Sequence, residues 1–475
     1  MSEGRRTGIV TPMATLLWFR RDLRTLDHPA LTAATQSETV ACFVLDPTRF
    51  DQLGPVRSGW LAANLVALND SLSGRLCLRI GDPAAVIPTL AAEYGATSVH
   101  VSAETEPAGA HSDELLRKEL RSRGVRWVTS GSPYAVTPGR LLTNRGTGYQ
   151  VFSGYLRAWL RHGWPEPAPL PALEQVQGTA SDDAVWARVR SAIAACPVEL
   201  PPAGEDAAHH RWQEFLDRLG DYSRDRDRVD WDGTSLMSAH LAIGAIHPRS
   251  LLADIADRQD AGADRYRSEL AWREFYADVL MRRPDSLTAD LNPLPLDYDP
   301  PGEQFQAWQQ GRTGYPIVDA GQRQLLATGQ MPNRVRMISA SFLTKDLHLW
   351  WRHGAEHFAG HLLDADTASN VHNWQWVAGT GTDAAPYFRI FNPTSQGESF
   401  DPVGAYVRRW IPELSHLRGA EVHQPWSTAT GYSQGYPHRI VDHAVERAES
   451  LARYQQAREH QLSAGSTPFQ PSDAH

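Results

Sequence analysis

The chain has 475 residues, 41% of them hydrophobic, and a formal net charge of −9. That length exceeds one ordinary domain, and the apolar fraction supports packed cores, which excludes a generally disordered chain. The acidic total excludes a nucleic-acid binder driven by overall charge but leaves room for a local basic groove. Cys42, Cys77 and Cys196 are the three cysteines, spaced too widely for a disulfide framework or a zinc site, so no metal is expected. There is no apolar run of ~18 residues, as a membrane helix requires. The opening MSEGRRTGIVTPMA lacks the apolar core of a signal peptide. The expectation is a cytoplasmic protein with no membrane partner.

In chain order, TLLWFR (15–20) reads as a buried strand. RDLRTLDHPAL follows, with Asp27 a candidate helix N-cap and Pro29 near the first turn. Strand patterns recur at 39–46, 75–81, 98–103 and 125–130, alternating with helical patterns near 57–72, 82–94 and 110–123. Such alternation predicts a Rossmann-like parallel sheet covered by helices on both faces, over residues 14–131. The first strand leads into RRDLRT, without G-x-G-x-x-G, so a dinucleotide is not expected there by the usual fingerprint. Residues 132–204 read as a Pro- and Gly-rich linker (WPEPAPLPALEQ) with one helix near 151–161. From 205 to 460 strand patterns vanish and a larger all-α domain is predicted, with 461–475 as a disordered tail. Sixteen tryptophans are present, most of them after Trp159.

Four stretches of the second half carry chemistry. GTSLMSAHLAIG (233–244) puts hydroxyls and free N–H groups at a helix start, which suits either an anion site or an ordinary cap. RYRSELAWREFY (265–276), as a helix, lines up Tyr266, Glu269, Trp272, Arg273 and Tyr276. That face could stack on a flat group and hydrogen-bond its edge, or could be a solvated edge with snorkelling arginines. QMPNRVRMISASFLTKDLHLWW (330–351) is locally basic, with Asn333 and Met337 sharing a face and Leu343, Leu347 and Trp351 stacked at i, i+4 and i+8. On these residues alone Trp351, like Trp308, reads as core. DADTASNVHNWQWVAGTGTDAAPYFRIFNP (364–393) is rich in acids, amides and aromatics. As a helix over 366–376 it stacks Asp366, Asn370 and Trp374 on one face, with Trp376 pointing away. That face suits a large polar-aromatic ligand, or a buried polar network.

Taken together, LLWFRRDLRTLDHPAL, GTSLMSAHLAIG, ELAWREFY, GRTGYPIVDAGQRQL, NRVRM and NWQW…GTGTDAAPYFRIFNPTSQGESFD resemble the photolyase–cryptochrome family from about Leu16 to Leu414. Within it the chain looks most like the class I cyclobutane pyrimidine dimer photolyases. The resemblance implies one U-shaped FAD in the helical domain, active when reduced. Thr234, Ser235, Leu236, Met237 and Ser238 would hold its phosphates, with Tyr222 nearby. Tyr266, Asp364, Ala365 and Asp366 would line its ring and ribityl chain, with Arg336 paired to Asp364 and Asn370 facing N5. Trp374, Trp351 and Trp308 match the family's electron-transfer chain, Trp374 nearest the flavin and Trp308 at the surface. Glu269, Trp272 and Met337 would receive the damaged pyrimidine pair. Arg226, Arg273, Tyr276, Asn333, Arg334 and Gln396 would face DNA. Relatives that repair (6-4) lesions usually carry His where Asn333 and Met337 stand, which favours the cyclobutane dimer.

This chain departs from the family pattern at Gln330, Pro332, Ala365 and Tyr266. ETEPAGAHSD (104–113) lacks the Asn-Glu pair of folate-binding relatives, and its EP-x-G leans toward 8-hydroxy-deazaflavin over methenyltetrahydrofolate as an antenna. The implied activity is light-dependent repair of dimers in single- or double-stranded DNA by a monomer, regardless of sequence. A cryptochrome-like photoreceptor and a (6-4) photolyase are the alternatives.

Overall fold

The computed structural model describes residues 14–179, 182–387 and 389–463. Of the expected tail, 461–475, residues 461–463 continue the last helix, and the rest lies outside the described residues. Five parallel strands, β1 (Thr15–Phe19), β2 (Thr39–Leu45), β3 (Cys77–Ile80), β4 (Ser98–Val101) and β5 (Arg126–Thr129), form one sheet in the order β3-β2-β1-β4-β5. β1 and β2 are buried along their whole length, as a sheet covered on both faces demands. Alternation sorts their side chains. Leu17 and Phe19 face helices α1 (Pro29–Ala34), α2 (Pro47–Gln52) and α3 (Gly54–Ser71). Leu16 and Trp18 face α4 (Pro83–Glu93) and α5 (Pro107–Ser122).

The linker is more ordered than its composition predicts. It carries α6 (Phe152–His162) and an unexpected α7 (Asp183–Ala194), capped by Asp182, whose Val185 and Val189 join the first domain's core. Glu274 of the helical half binds the linker's start, accepting from the N–H groups of Ala135 (2.6 Å) and Val136 (3.0 Å) and from Trp159 Nε1 (2.6 Å).

The helical half begins with α8 (Glu205–Leu216), α9 (Tyr222–Asp225), α10 (Ser238–Ile243), α11 (Pro248–Asp254) and the long α12 (Ala261–Arg282). It continues through α13 (Glu303–Gln309), α14 (Pro316–Thr328), α15 (Asn333–Ser341), α16 (Trp351–His361) and α17 (Thr367–Ala378). α18 (Pro393–Phe400), α19 (Ala405–Trp410) and α20 (His443–Ser463) complete it. One core gathers around α12 with Trp212, Phe215 and Tyr266, and a second around Trp308, Trp351 and Trp374.

The expected stack of Leu343, Leu347 and Trp351 does not form. A π-helical turn at Phe342–Asp346 ends the helix, His348 takes φ 52°, and a new helix starts at Trp351.

The halves are joined by buried polar contacts from the loop after β1. Glu205 accepts from Thr25 N (2.9 Å), Thr25 Oγ1 (2.8 Å) and Leu26 N (2.7 Å), while Arg249 reaches Asp27 at 2.5 Å. Gly244, at φ 76°, lies against the Arg21 carbonyl, where a Cβ would stand 2.1 Å from the oxygen. Among the described residues no helix is long and apolar enough to cross a membrane, and no His/Cys/Asp/Glu group could hold a metal ion.

Candidate active site

A cavity of about 1200 Å³ opens in the helical half. This exceeds the ~300–1,000 Å³ common for small-molecule sites, so its occupant is large or accompanied. Its walls are the 234–238 loop, one face of α12, the start of α15, and the segment leading into α17.

The α12 face is the one predicted. Tyr266, Glu269, Trp272, Arg273 and Tyr276 all line the cavity. Glu269 ion-pairs with Arg226 and, at 2.8 Å, with Arg265. Arg265 stands four residues before Glu269, so i,i+4 pairing could have revealed it. Half-buried Trp272 stacks on Phe152 of α6, rings 3.6 Å apart and 8° from parallel. Nothing in the linker's composition pointed to Phe152. Its N–H donates to Asp383 (3.0 Å), which fixes the start of α6.

Thr234, Ser235, Leu236, Met237 and Ser238 also line the cavity, with Tyr222 beside them. Leu236 has φ 56°, a strained conformation for leucine of the kind found at binding sites. Ser235 Oγ and Tyr266 Oη are 3.0 Å apart. Burial lifts the Tyr266 hydroxyl well above the usual phenol range, so it stays neutral.

Asp364 pairs with Arg336 at 2.9 Å. Asp366 caps Ser369 N (2.9 Å) and faces Arg21 at 3.0 Å and Arg273 at 4.0 Å. Burial pushes the Asp366 carboxyl up, but Arg273, Arg21 and the Ser369 N–H outweigh it and keep the group below the usual carboxylate range.

The face of α17 differs from the expected one. Asp366 is the cap, outside the helical turns, so counting by fours from it misplaces the stripe. Ser369, Asn373 and Trp376 line the cavity. Asn370 and Trp374 turn toward α16: the Asn370 amide donates to Ala355 O (2.8 Å), and Trp374 packs on Gly354. Neither Asn370 nor Ala365 lines the cavity, and Trp376 does not point away from it.

Asn333 and Met337 share a face at the rim, Asn333 Nδ2 lying 3.7 Å from the Met337 sulfur. Arg334 pairs with Asp227 (2.7 Å), and its buried Nε has no partner. Gln396, on α18, is half-buried and away from the cavity wall.

All three predicted chain tryptophans are buried: Trp374 is 2% exposed, Trp351 and Trp308 0%. Trp308 is therefore not at the surface. The short α13 turns Phe305 and Trp308 inward, and Trp308 lies edge-on to Trp374 with centroids 6.2 Å apart. Trp351 donates its indole N–H to Asp290 at 2.6 Å.

His357, beside Trp308, accepts from Gln309 at Nδ1 (3.4 Å) and donates from Nε2 to Gln322 (3.1 Å). Burial lowers its pKa to about 3, against about 6.5 unfolded. A depressed histidine stabilises the fold above the unfolded value and loses that contribution as acid protonates the unfolded chain. The stability advantage of wild type over His357→Asn should therefore shrink by about 2 kcal/mol between pH 7 and pH 5, read by urea denaturation. A constant difference across that range would refute the neutral assignment.

The donor set fits FAD. Arg211 reaches the Ser235 and Thr234 carbonyls (3.2 and 3.3 Å) of the hydroxyl-rich loop, where a pyrophosphate would need counter-charge, and Tyr222 and Tyr266 offer flat walls beside it.

Comparison with known proteins identifies the family. The profile of the FAD binding domain of DNA photolyase matches residues 266–456, and that of DNA photolyase matches 15–174. The deoxyribodipyrimidine photo-lyase of Vibrio cholerae is 38% identical, over 93% of this chain and 99% of its own length. That of Streptomyces griseus is 37% identical, over 93% and 98%. Among solved structures, a class III photolyase from Agrobacterium tumefaciens superposes with TM-score 0.86 at 34% identity, covering 96% of this chain and 100% of that one. An archaeal photolyase from Sulfolobus tokodaii with two FAD molecules gives 0.81 at 26%, covering 94% and 100%. Similarity to a class III enzyme means that the likeness does not single out class I. The chain belongs to the photolyase–cryptochrome family and is an enzyme of the deoxyribodipyrimidine photo-lyase type.

Proposed function

We propose that the protein repairs cyclobutane pyrimidine dimers in DNA by light-driven electron transfer, with the lesion turned out of the helix into the cavity. The observation that carries this reading is Glu269, a carboxylate held by Arg226 and Arg265 beside the half-buried Trp272. A dimer offers imide N–H and carbonyl groups on one edge and an apolar ring face. Glu269 would accept from that edge, and Trp272, braced by Phe152, would stack on the face. Met337 and Trp376 supply further apolar wall. A damaged pair stacks poorly in the duplex, so turning it out costs less than for a normal step.

Arg226 and Arg334 would position the strand through its phosphates without reading sequence. The chemistry supplied by bound reduced FAD is one-electron donation after light absorption and recovery of that electron once the ring has split. The protein's residues orient the lesion, exclude water and hold a hydrogen bond to the pyrimidine edge as its electron density rises. Asp364 and Asp366 would address the flavin from one side of the cavity and the 234–238 loop its phosphates. Asn370 would stand behind that wall.

The test is a single-dimer oligonucleotide illuminated with blue light in the presence of reduced holoprotein. The expected result is restored pyrimidines in the light and none in the dark, with a matching (6-4) lesion left untouched. Flavin photochemistry without dimer loss would support a photoreceptor instead.

A further inference from the structure

We propose that Arg21, a residue of the sheet domain, is a positioning residue of the flavin site that sets how readily bound FAD is reduced, through its pairing with Asp366. This rests on the FAD reading of the cavity.

β1 ends at Phe19 beside β4, where the strand order reverses. In open sheets of this kind that crevice is the usual ligand position. Here the loop after β1 starts at that point and passes toward the helical half. Arg20 stays in the crevice, bound to Asp113 at 2.7 Å and lying over Trp18. Arg21 crosses to the helical half. Its backbone has little freedom, because Gly244 packs on its carbonyl and Leu23 N bonds to Ile243 O. Its guanidinium bridges two helix caps: Glu106 before α5, and Asp366 before α17 at 3.0 Å.

Asp366 is 7% exposed and lines the cavity. One oxygen is used by the Ser369 N–H, and the other is shared by Arg21 and Arg273. Arg273, at 4.0 Å, is committed elsewhere, to Pro133 O (3.0 Å), Leu241 O (3.2 Å) and the Tyr134 ring. Arg21 therefore makes the close contact. Without it, a buried carboxylate faces the cavity with only part of its compensation. An electron added to a flavin there would be placed against that uncompensated charge, and reduction would become less favourable.

The experiment is a spectroelectrochemical titration of FAD in full-length holoprotein, alongside thermal unfolding of the apoprotein. Arg21→Gln should disfavour reduction by about tenfold in equilibrium constant, the size of an ordinary charge perturbation. Arg21→Lys should stay close to wild type. Arg21→Gln with Asp366→Asn should return toward wild type, because the unbalanced charge is gone. A residue that only joins the domains would lower the unfolding temperature of Arg21→Gln and leave the potential alone, which overturns the proposal. Failure of the double variant to recover would overturn it too. Should Arg21→Gln not hold flavin, Asp366→Asn alone decides: it must favour reduction, and an unchanged potential refutes the idea. Wild-type protein that takes up no FAD would overturn the parent reading, and this proposal with it.

Discussion

Glu269→Ala is expected to lower dimer repair per absorbed photon by about ten- to a hundredfold while leaving flavin content unchanged. The range is that of one lost hydrogen bond to a charged group, roughly 1.5–3 kcal/mol. The substitution has a second signature. Arg226 and Arg265 lose their shared carboxylate and become free to meet phosphates. Affinity for undamaged DNA should then rise at low salt, and the slope of log K against log salt should steepen by about one to two phosphate contacts. Repair assays and salt titrations on the same preparation read both effects. Undiminished repair would remove Glu269 from the lesion-binding role, and an unchanged slope would mean that the arginines point away from the strand.

Trp374→Phe should slow photoreduction of oxidised flavin by at least about tenfold and leave repair by pre-reduced enzyme intact. Trp374 is the member of the buried aromatic set on the helix that borders the cavity, and it packs on Gly354, one turn from Trp351. Trp351 is the better next site. A carboxylate 2.6 Å from its indole N–H stabilises positive charge on the ring, whereas Trp308 has only the Ser339 carbonyl at 3.2 Å. The same reasoning expects Asp290→Asn to slow photoreduction without touching repair. Bleaching of the oxidised-flavin absorbance under blue light, with an external reductant, measures both. Normal photoreduction in Trp374→Phe would mean that electrons enter by another route.

Much of the architecture was legible because it rests on local pattern. The five strands are short apolar runs between turn residues, and the α12 face follows from helical spacing alone. The failures have identifiable causes. α7 was hidden by a connector whose prolines and glycines suggested coil, although Asp182 offered a cap. The stripe on α17 was miscounted because Asp366 looks like a helical residue in sequence and is a cap in space. Trp308 was placed at the surface by resemblance, while its residue type and neighbours had suggested core. Phe152 and Arg21 were invisible in principle, since each touches a cavity-lining residue, Trp272 or Asp366, from a segment more than 90 residues distant in sequence, and only tertiary structure brings them there.

The polar seam between the halves has a consequence for how the chain is made. The loop after β1 is synthesised early, yet the partners of Thr25, Leu26 and Asp27 are Glu205 and Arg249, which leave the ribosome much later. A nascent sheet domain must wait with the end of its central strand's loop unpartnered, its seam groups still in water. A fragment stopped near residue 131 also lacks Val176, Val185 and Val189, which cover the sheet's core, so it should be poorly soluble even though it contains all five strands, and expression of that truncation would show whether the sheet can stand without them.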